Sequence, residues 1–320
     1  MGRYILRRLV VSVPVLAAIT LAVYIMMNLA PGDPVMAMID PETASALGPD
    51  WVETQREQLG LNQPMPVRYV LWLGQVARGN FGFSYNDRQP VSAKVSERFW
   101  PTLKLMGTAQ AIALTIAVPL GILSAVRQYS RTDYVLTVLA FLAVSIPNFF
   151  LALGLIYIFA VTLGWTPTAG MGTIGGTGSF FNSLHHLILP ASVLGLSAAA
   201  PLIRYVRSSM LETLSQDYVQ VARAKGLHPT AVVIRHALRN ALIPVVTIVA
   251  LSLPSLIGGT VIVEAIFAWP GMGTLVITSL HAVDYPVIMA ALLVIGIAIV
   301  ISNLIADLLY ALLDPRIRYS

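Results

Sequence analysis

Residues 9–30 read LVVSVPVLAAITLAVYIMMNLA, without one charged side chain. A helix rises about 1.5 Å per residue and the hydrocarbon core of a bilayer is about 30 Å thick, so about 20 apolar residues make one crossing. Five further stretches meet that length, at 103–126, 135–163, 185–203, 241–269 and 286–313. The sequence therefore describes an all-α polytopic membrane protein with six transmembrane helices, and six crossings return both termini to one side. Composition agrees: 57% of the 320 residues are apolar and 11% are charged, where soluble domains carry roughly 25% charged residues. A soluble fold of this length could not hide that much apolar surface, so lipid is the solvent.

The cations give the orientation. Arg3, Arg7 and Arg8 precede the first span, Arg127 and Arg131 lie between the second and third, and Arg316 and Arg318 follow the sixth. Arg204, Arg207, Arg223, Lys225, Arg235 and Arg239 lie between the fourth and fifth, whereas loops 164–184 and 270–285 hold no Lys or Arg. By the positive-inside rule the cation-rich places are cytoplasmic, the N- and C-termini among them. The net charge of +5 thus reflects membrane orientation, not nucleic-acid binding. The chain has no cysteine, which excludes disulfides, thiolate metal sites and cysteine nucleophiles. The first apolar run exceeds the roughly 7–15 residues of a signal sequence and ends in Pro31-Gly32-Asp33-Pro34 without a small-residue cleavage site, so it reads as a retained anchor.

Three regions follow: 1–30, the cytoplasmic N-terminus and first span; 31–102, an extracytoplasmic segment with short helices; and 103–320, a five-helix core with a cytoplasmic loop at 204–240. Within the second, 51–59 (WVETQREQL) and 67–78 (VRYVLWLGQVAR) are helix-like, the latter with an apolar face at Val67, Val70, Leu71 and Leu73. Gly79, Gly82, Asn86 and Pro90 break the pattern. The favoured reading is an interfacial helix; the sharper one is part of a docking surface for an outside partner.

The 204–240 loop reads RYVRSSMLETLSQDYVQVARAKGLHPTAVVIRHALRN. Ser215 or Asp217 is placed to cap a helix, Gly226 to end it in the left-handed conformation, and Pro229 follows. A helix of about nine residues is marginal alone in water, so something must hold it. Tyr218, Val221 and Ala222 fall at i, i+3 and i+4 on one small apolar face, with Arg223 and Lys225 outside it. Pattern alone leaves two readings open, an amphipathic connector on the inner leaflet and a helix that docks in a partner's groove.

Gln220-Val221-Ala222, three residues, then Gly226 resembles the cytoplasmic coupling motif of ABC importer permeases, Glu-Ala-Ala, three residues, Gly. Gln stands for Glu, Val for the first Ala, and the closing Leu242-Ile243-Pro244 comes several residues late. Further strings resemble the dipeptide, oligopeptide and nickel branch: ILRRL at 5–9, APGDP at 30–34, ARAKGL at 222–227, HALRNALIPVVT at 236–247, EAIFAWPGMG at 264–273, DYP at 284–286 and LLDPRIR at 312–318. The resemblance spans nearly the whole chain. It implies a type I ABC importer permease fold in the inner membrane and transport of di- or oligopeptides, nickel chelates, glutathione or other small solutes, with peptides first.

The same resemblance implies a second homologous permease subunit, two cytoplasmic ATP-binding subunits that hold ATP and Mg, and an extracytoplasmic solute-binding protein. Asp217, Tyr218, Gln220, Val221, Ala222, Arg223 and Gly226 would couple this chain to an ATPase. No G-x-x-x-x-G-K-[ST] loop occurs, so the chain is expected to be a transport subunit, not an enzyme, with no cofactor of its own.

The alternative, an ion-coupled secondary carrier, commonly holds ionisable groups at mid-membrane. Glu264 lies roughly 35 Å from the inner start of its span and Asp307 about 32 Å from the outer start of its own, so both belong near an interface. For Glu264 a cap or local hydrogen bond is favoured over solute contact. Asn148 beside Pro147, and Ser255, Gly258 and Gly259 after Pro254, interrupt helical bonding or admit close approach. Helix packing is their plainer role, and they are also the pathway candidates. His185 and His186 read as interfacial, because no third metal ligand stands at useful spacing.

Overall fold

A computed structural model describes residues 2–29, 34–37, 49–58, 60–173 and 179–313, with side chains at 10–29, 35–36, 49–58, 60–173, 179–252 and 260–309. In chain order the helices are α1 (Gly2–Leu29), α2 (Pro34–Ala37), α3 (Pro49–Gln58), α4 (Met65–Val76), α5 (Val91–Val126), α6 (Arg131–Ser145) and α7 (Asn148–Leu155). They continue with α8 (Phe180–Leu214), α9 (Asp217–Ala224), α10 (Pro229–Ala231), α11 (Arg239–Ile266), α12 (Met272–His281) and α13 (Tyr285–Leu313). Wide π-helical turns, Ile156–Thr162 and Val232–Leu238, extend α7 and join α10 to α11. Among the described residues no strand forms; Phe83 and Pro90 make one isolated bridge.

Five helices are long and apolar enough to cross a membrane, and six if the bent pair α6 and α7 forms one crossing. The third expected span is thus broken, its halves meeting at 103°. Pro147 is the cause: it cannot donate to the helix, and it pushes Ile146 into extended backbone at φ −84, ψ 119.

The chain divides into two compact units. In the first, Met1–Pro101 with Pro270–Val300, α4 is lashed to α1 by polar groups. The Tyr69 hydroxyl donates to the Ala17 carbonyl at 2.8 Å and meets Thr20 Oγ1 at 2.9 Å. Arg68 donates from Nε to the Tyr24 hydroxyl and from Nη2 to Asn28 Oδ1, at 3.0 and 2.7 Å. The inward face of α4 is Met65, Tyr69, Trp72 and Leu73, which pack on Tyr24, Met27 and Met289. Of the apolar face read from the sequence, Leu73 packs inward while Val67, Val70 and Leu71 are exposed. Tyr69 anchors the inward side because its hydroxyl is satisfied there while its ring is buried.

In the second unit, Thr102–Trp269 with Ile301–Ser320, α8 is the hub against which α5, α6, α7 and α11 pack. Ala109, Ala113 and Ala117 of α5, four residues apart, are fully buried. Gly121 continues the row, and a Cβ there would lie 2.6 Å from Val206 Cβ. From the facing side a Cβ on Gly195 would lie 2.7 Å from Ile112 Cγ2. Small residues at four-residue spacing let two backbones approach closely where burial of apolar surface supplies no drive, as in a bilayer.

Candidate functional site

The loop after α8 turns at Ser215 and Gln216 into α9. Neither expected cap forms: Gln216 is the N-cap residue, with no side-chain capping bond, and Ser215 Oγ turns back to the Glu212 carbonyl at 2.8 Å. The C-terminal signal does form. Gly226 has φ +77, and its N–H donates to the Arg223 carbonyl at 2.9 Å, a conformation that costs a residue without Cβ least.

The structure divides the expected apolar face in two. Val219 and Ala222 are buried within the chain, against Val232 and Leu214. Tyr218 and Val221 are 42% and 52% exposed. Asp217, Gln220, Arg223 and Gly226 are exposed with them. Ala222 therefore belongs to the root of the helix rather than to its free face. With i, i+3 spacing, an eight-residue helix has room for one pair on each side, and the chain's own π-helical turn takes the pair led by Val219. The free side is steadied by Asn240, whose Nδ2 donates to the Tyr218 hydroxyl at 2.8 Å.

A second device at this end went unread in the sequence. Arg207 of α8 grips Asp133 of α6 with two hydrogen bonds, both at 2.8 Å. The Ser124 hydroxyl and the Tyr129 N–H also donate to that carboxylate, which is buried. Ser130 caps α6 by accepting from the Asp133 N–H. The only sequence signal was a lone acid three residues after a serine. Ser209 Oγ, two residues from Arg207 toward α9, donates to the Ala241 carbonyl of α11 at 2.6 Å.

Among the pathway candidates, Asn148 accepts a hydrogen bond from Ser197 of α8 at 2.7 Å, so the break in the third span is tied to the hub. Ser255, Gly258 and Gly259 lie on α11, and their side chains fall outside the described residues. Gln110, in the middle of α5, was missed: both polar atoms of its amide are buried and neither finds a partner among the described residues. Glu264 is fully buried and accepts from Thr102 Oγ1 of α5 at 2.7 Å, a bond between distant helices where a cap or local bond was expected. His185 and His186 bond the carbonyls of Trp165 and Asn182.

Comparison with known proteins places this arrangement. The model for "Binding-protein-dependent transport system inner membrane component" matches 117–319, and that for the N-terminal part of the same systems matches 1–106. The chain is 46% identical to the oligopeptide transport system permease protein AppB of Bacillus subtilis, over 100% of both chains. To the glutathione transport system permease protein GsiC of Salmonella typhi it is 40% identical, again over 100% of both. The fold is shared with solved inward-facing structures of the MetNI methionine ABC transporter, at TM-score 0.57 and 18% identity over 69% of this chain and 96% of that one. The ion-coupled carrier is thereby set aside: this chain is a multi-pass inner-membrane permease subunit of the binding-protein-dependent ABC importer family.

Proposed function

We propose that this chain, with a second homologous permease, forms the solute pathway of an ATP-driven importer of short peptides. Its termini and the 204–240 loop face the cytoplasm, where two ATP-binding subunits hold ATP and Mg. The 31–102 segment lies outside, where a solute-binding protein delivers its load. Peptides are favoured because end-to-end relatives bear the names of oligopeptide and peptide permeases. The chain itself carries no nucleotide and catalyses no bond cleavage.

One observation carries the coupling role of α9. Val219 and Ala222 root the helix in its own subunit while Tyr218 and Val221 stand free, which suits a lever that must move the membrane core when its outer face is pushed. ATP can shift the importer between inward- and outward-facing states only by the difference in its interactions with the two, so a stiff contact has to transmit that difference. The test separates the two faces. In the assembled complex, Val221→Asp is expected to cut peptide transport at least tenfold and to abolish stimulation of ATP hydrolysis by loaded binding protein, with the subunit's melting temperature unchanged. Ala222→Asp buries a carboxylate against Val232 and should instead lower the melting temperature. Wild-type transport by Val221→Asp would return α9 to a membrane-surface connector.

A further inference from the structure

A cleft of about 350 Å³ opens in the first unit among Tyr24, Arg68, Trp72, Tyr85 and Tyr285. It takes no part in the coupling described above. Its volume falls at the small end of the range for ligand sites, and its walls mix aromatic side chains with a few polar ones, as such sites do.

Its polar groups are incompletely used. Arg68 donates three hydrogen bonds, to the Tyr24 hydroxyl, the Leu61 carbonyl and Asn28 Oδ1. All three acceptors are neutral, and a guanidinium has five N–H groups, so two N–H find no acceptor among the described residues, and the positive charge meets only the face of the Tyr24 ring, 5.7 Å from its centroid. A half-buried guanidinium with no carboxylate partner among the described residues is a costly arrangement for a fold to keep for packing alone. The indole N–H of Trp72 is buried and has no acceptor among the described residues. Nearby Asp284 does not neutralise the cleft: it is buried beneath the 84–85 turn, where Ser84 Oγ and the Tyr85 N–H donate to it. Burial, partly offset by the Arg68 charge, pushes the Tyr85 phenol up to about 12, so it keeps its proton and remains a donor at any physiological pH. Gln58, Gln63 and Gln75 line the rim, where their amides can meet a peptide backbone.

We propose that this cleft binds the C-terminal carboxylate of a short peptide, with Arg68 as its charge partner and Trp72 Nε1–H as a second donor. The aromatic walls then take the terminal side chain. One guanidinium with two free N–H groups matches one carboxylate in the bidentate geometry that makes such pairs strong. The inference rests on the peptide-importer reading, but its test needs neither ATP nor transport, so the two can fail separately.

The test is calorimetric titration of the full chain in lipid nanodiscs with the dipeptide Ala-Phe as the free acid and as its C-terminal amide. The free acid is expected to bind at least tenfold tighter than the amide. Arg68→Gln should erase that difference; because Arg68 also ties α4 to α1, Trp72→Phe supplies a second variant. It keeps an aromatic side chain while removing the indole N–H, for which no described residue supplies an acceptor, and is expected to weaken the free acid about three- to tenfold while changing the amide much less. Equal affinity for acid and amide overturns the proposal. So does undiminished free-acid binding in both variants, or displacement of the dipeptide by inorganic phosphate at matching concentration, which would assign the cleft to lipid headgroups. Peptide transport that persists in Arg68→Gln alongside lost dipeptide binding would confine the cleft to a loading step and leave the importer reading intact.

Discussion

At the residue scale, the Asp133 and Arg207 pair shows what a single buried charge demands. Four donors converge on one carboxylate, and removing the largest of them leaves the rest insufficient for a full charge. Arg207→Gln is expected to destabilise the purified chain by about 3 kcal/mol, the lower end of the range for a broken buried pair because the Arg207 side chain is 27% exposed. Asp133→Asn combined with Arg207→Gln should recover most of the loss, since both charges then disappear together. Thermal or denaturant unfolding of the two variants beside wild type measures the coupling; a double variant as unstable as Arg207→Gln alone would show that packing, not charge, holds this end. Residues of this kind were hardest to read. Gly226 was legible because left-handed backbone leaves one favoured residue type, whereas Asp133 and Gln110 reveal their burial only once distant helices are in place.

At the element scale, long apolar runs were legible because a crossing demands a length that no loop satisfies by chance. Helix faces were less so. The periodicity of α4 marked apolar residues but not which of them point inward, and the buried row Ala109, Ala113, Ala117 and Gly121 of α5 is indistinct within a run that is apolar all round. The consequence is measurable at the α5 and α8 crossing. Gly195→Ala places a methyl 2.7 Å from Ile112 Cγ2 and 3.0 Å from the Ala109 carbonyl, and the carbonyl cannot swing aside as a side chain can. The expected cost is about 1–3 kcal/mol, read as a lower melting temperature. Gly107→Ala, on α5 with nothing within 4 Å of its added methyl, should be neutral or slightly stabilising. Equal melting temperatures for the two would mean that the crossing is looser than the close approach requires.

At the scale of the whole molecule, the bend at Pro147 decides how many crossings there are and hence where the two termini lie. If α6 and α7 form one broken span, six crossings result, and every short cation-rich loop falls on one side of the membrane, with the long 31–102 segment, too long for its own cations to decide orientation, on the other. If they enter and leave on the same side, the later loops exchange sides and the 204–240 loop would face away from any cytoplasmic ATPase. The charge pattern favours the broken span, because reversing the later loops would place Arg204, Arg207, Arg223, Lys225, Arg235 and Arg239 outside against the positive-inside rule. A chain without cysteine makes the choice testable. Gln128 and Ser179 are both exposed, and neither side chain makes a hydrogen bond that a cysteine would break. In intact cells an impermeant maleimide should label Ser179→Cys and spare Gln128→Cys until the membrane is opened, while Tyr218→Cys should behave like Gln128→Cys. Labelling of Tyr218→Cys from outside would make the third span re-entrant and remove α9 from reach of ATP-driven coupling.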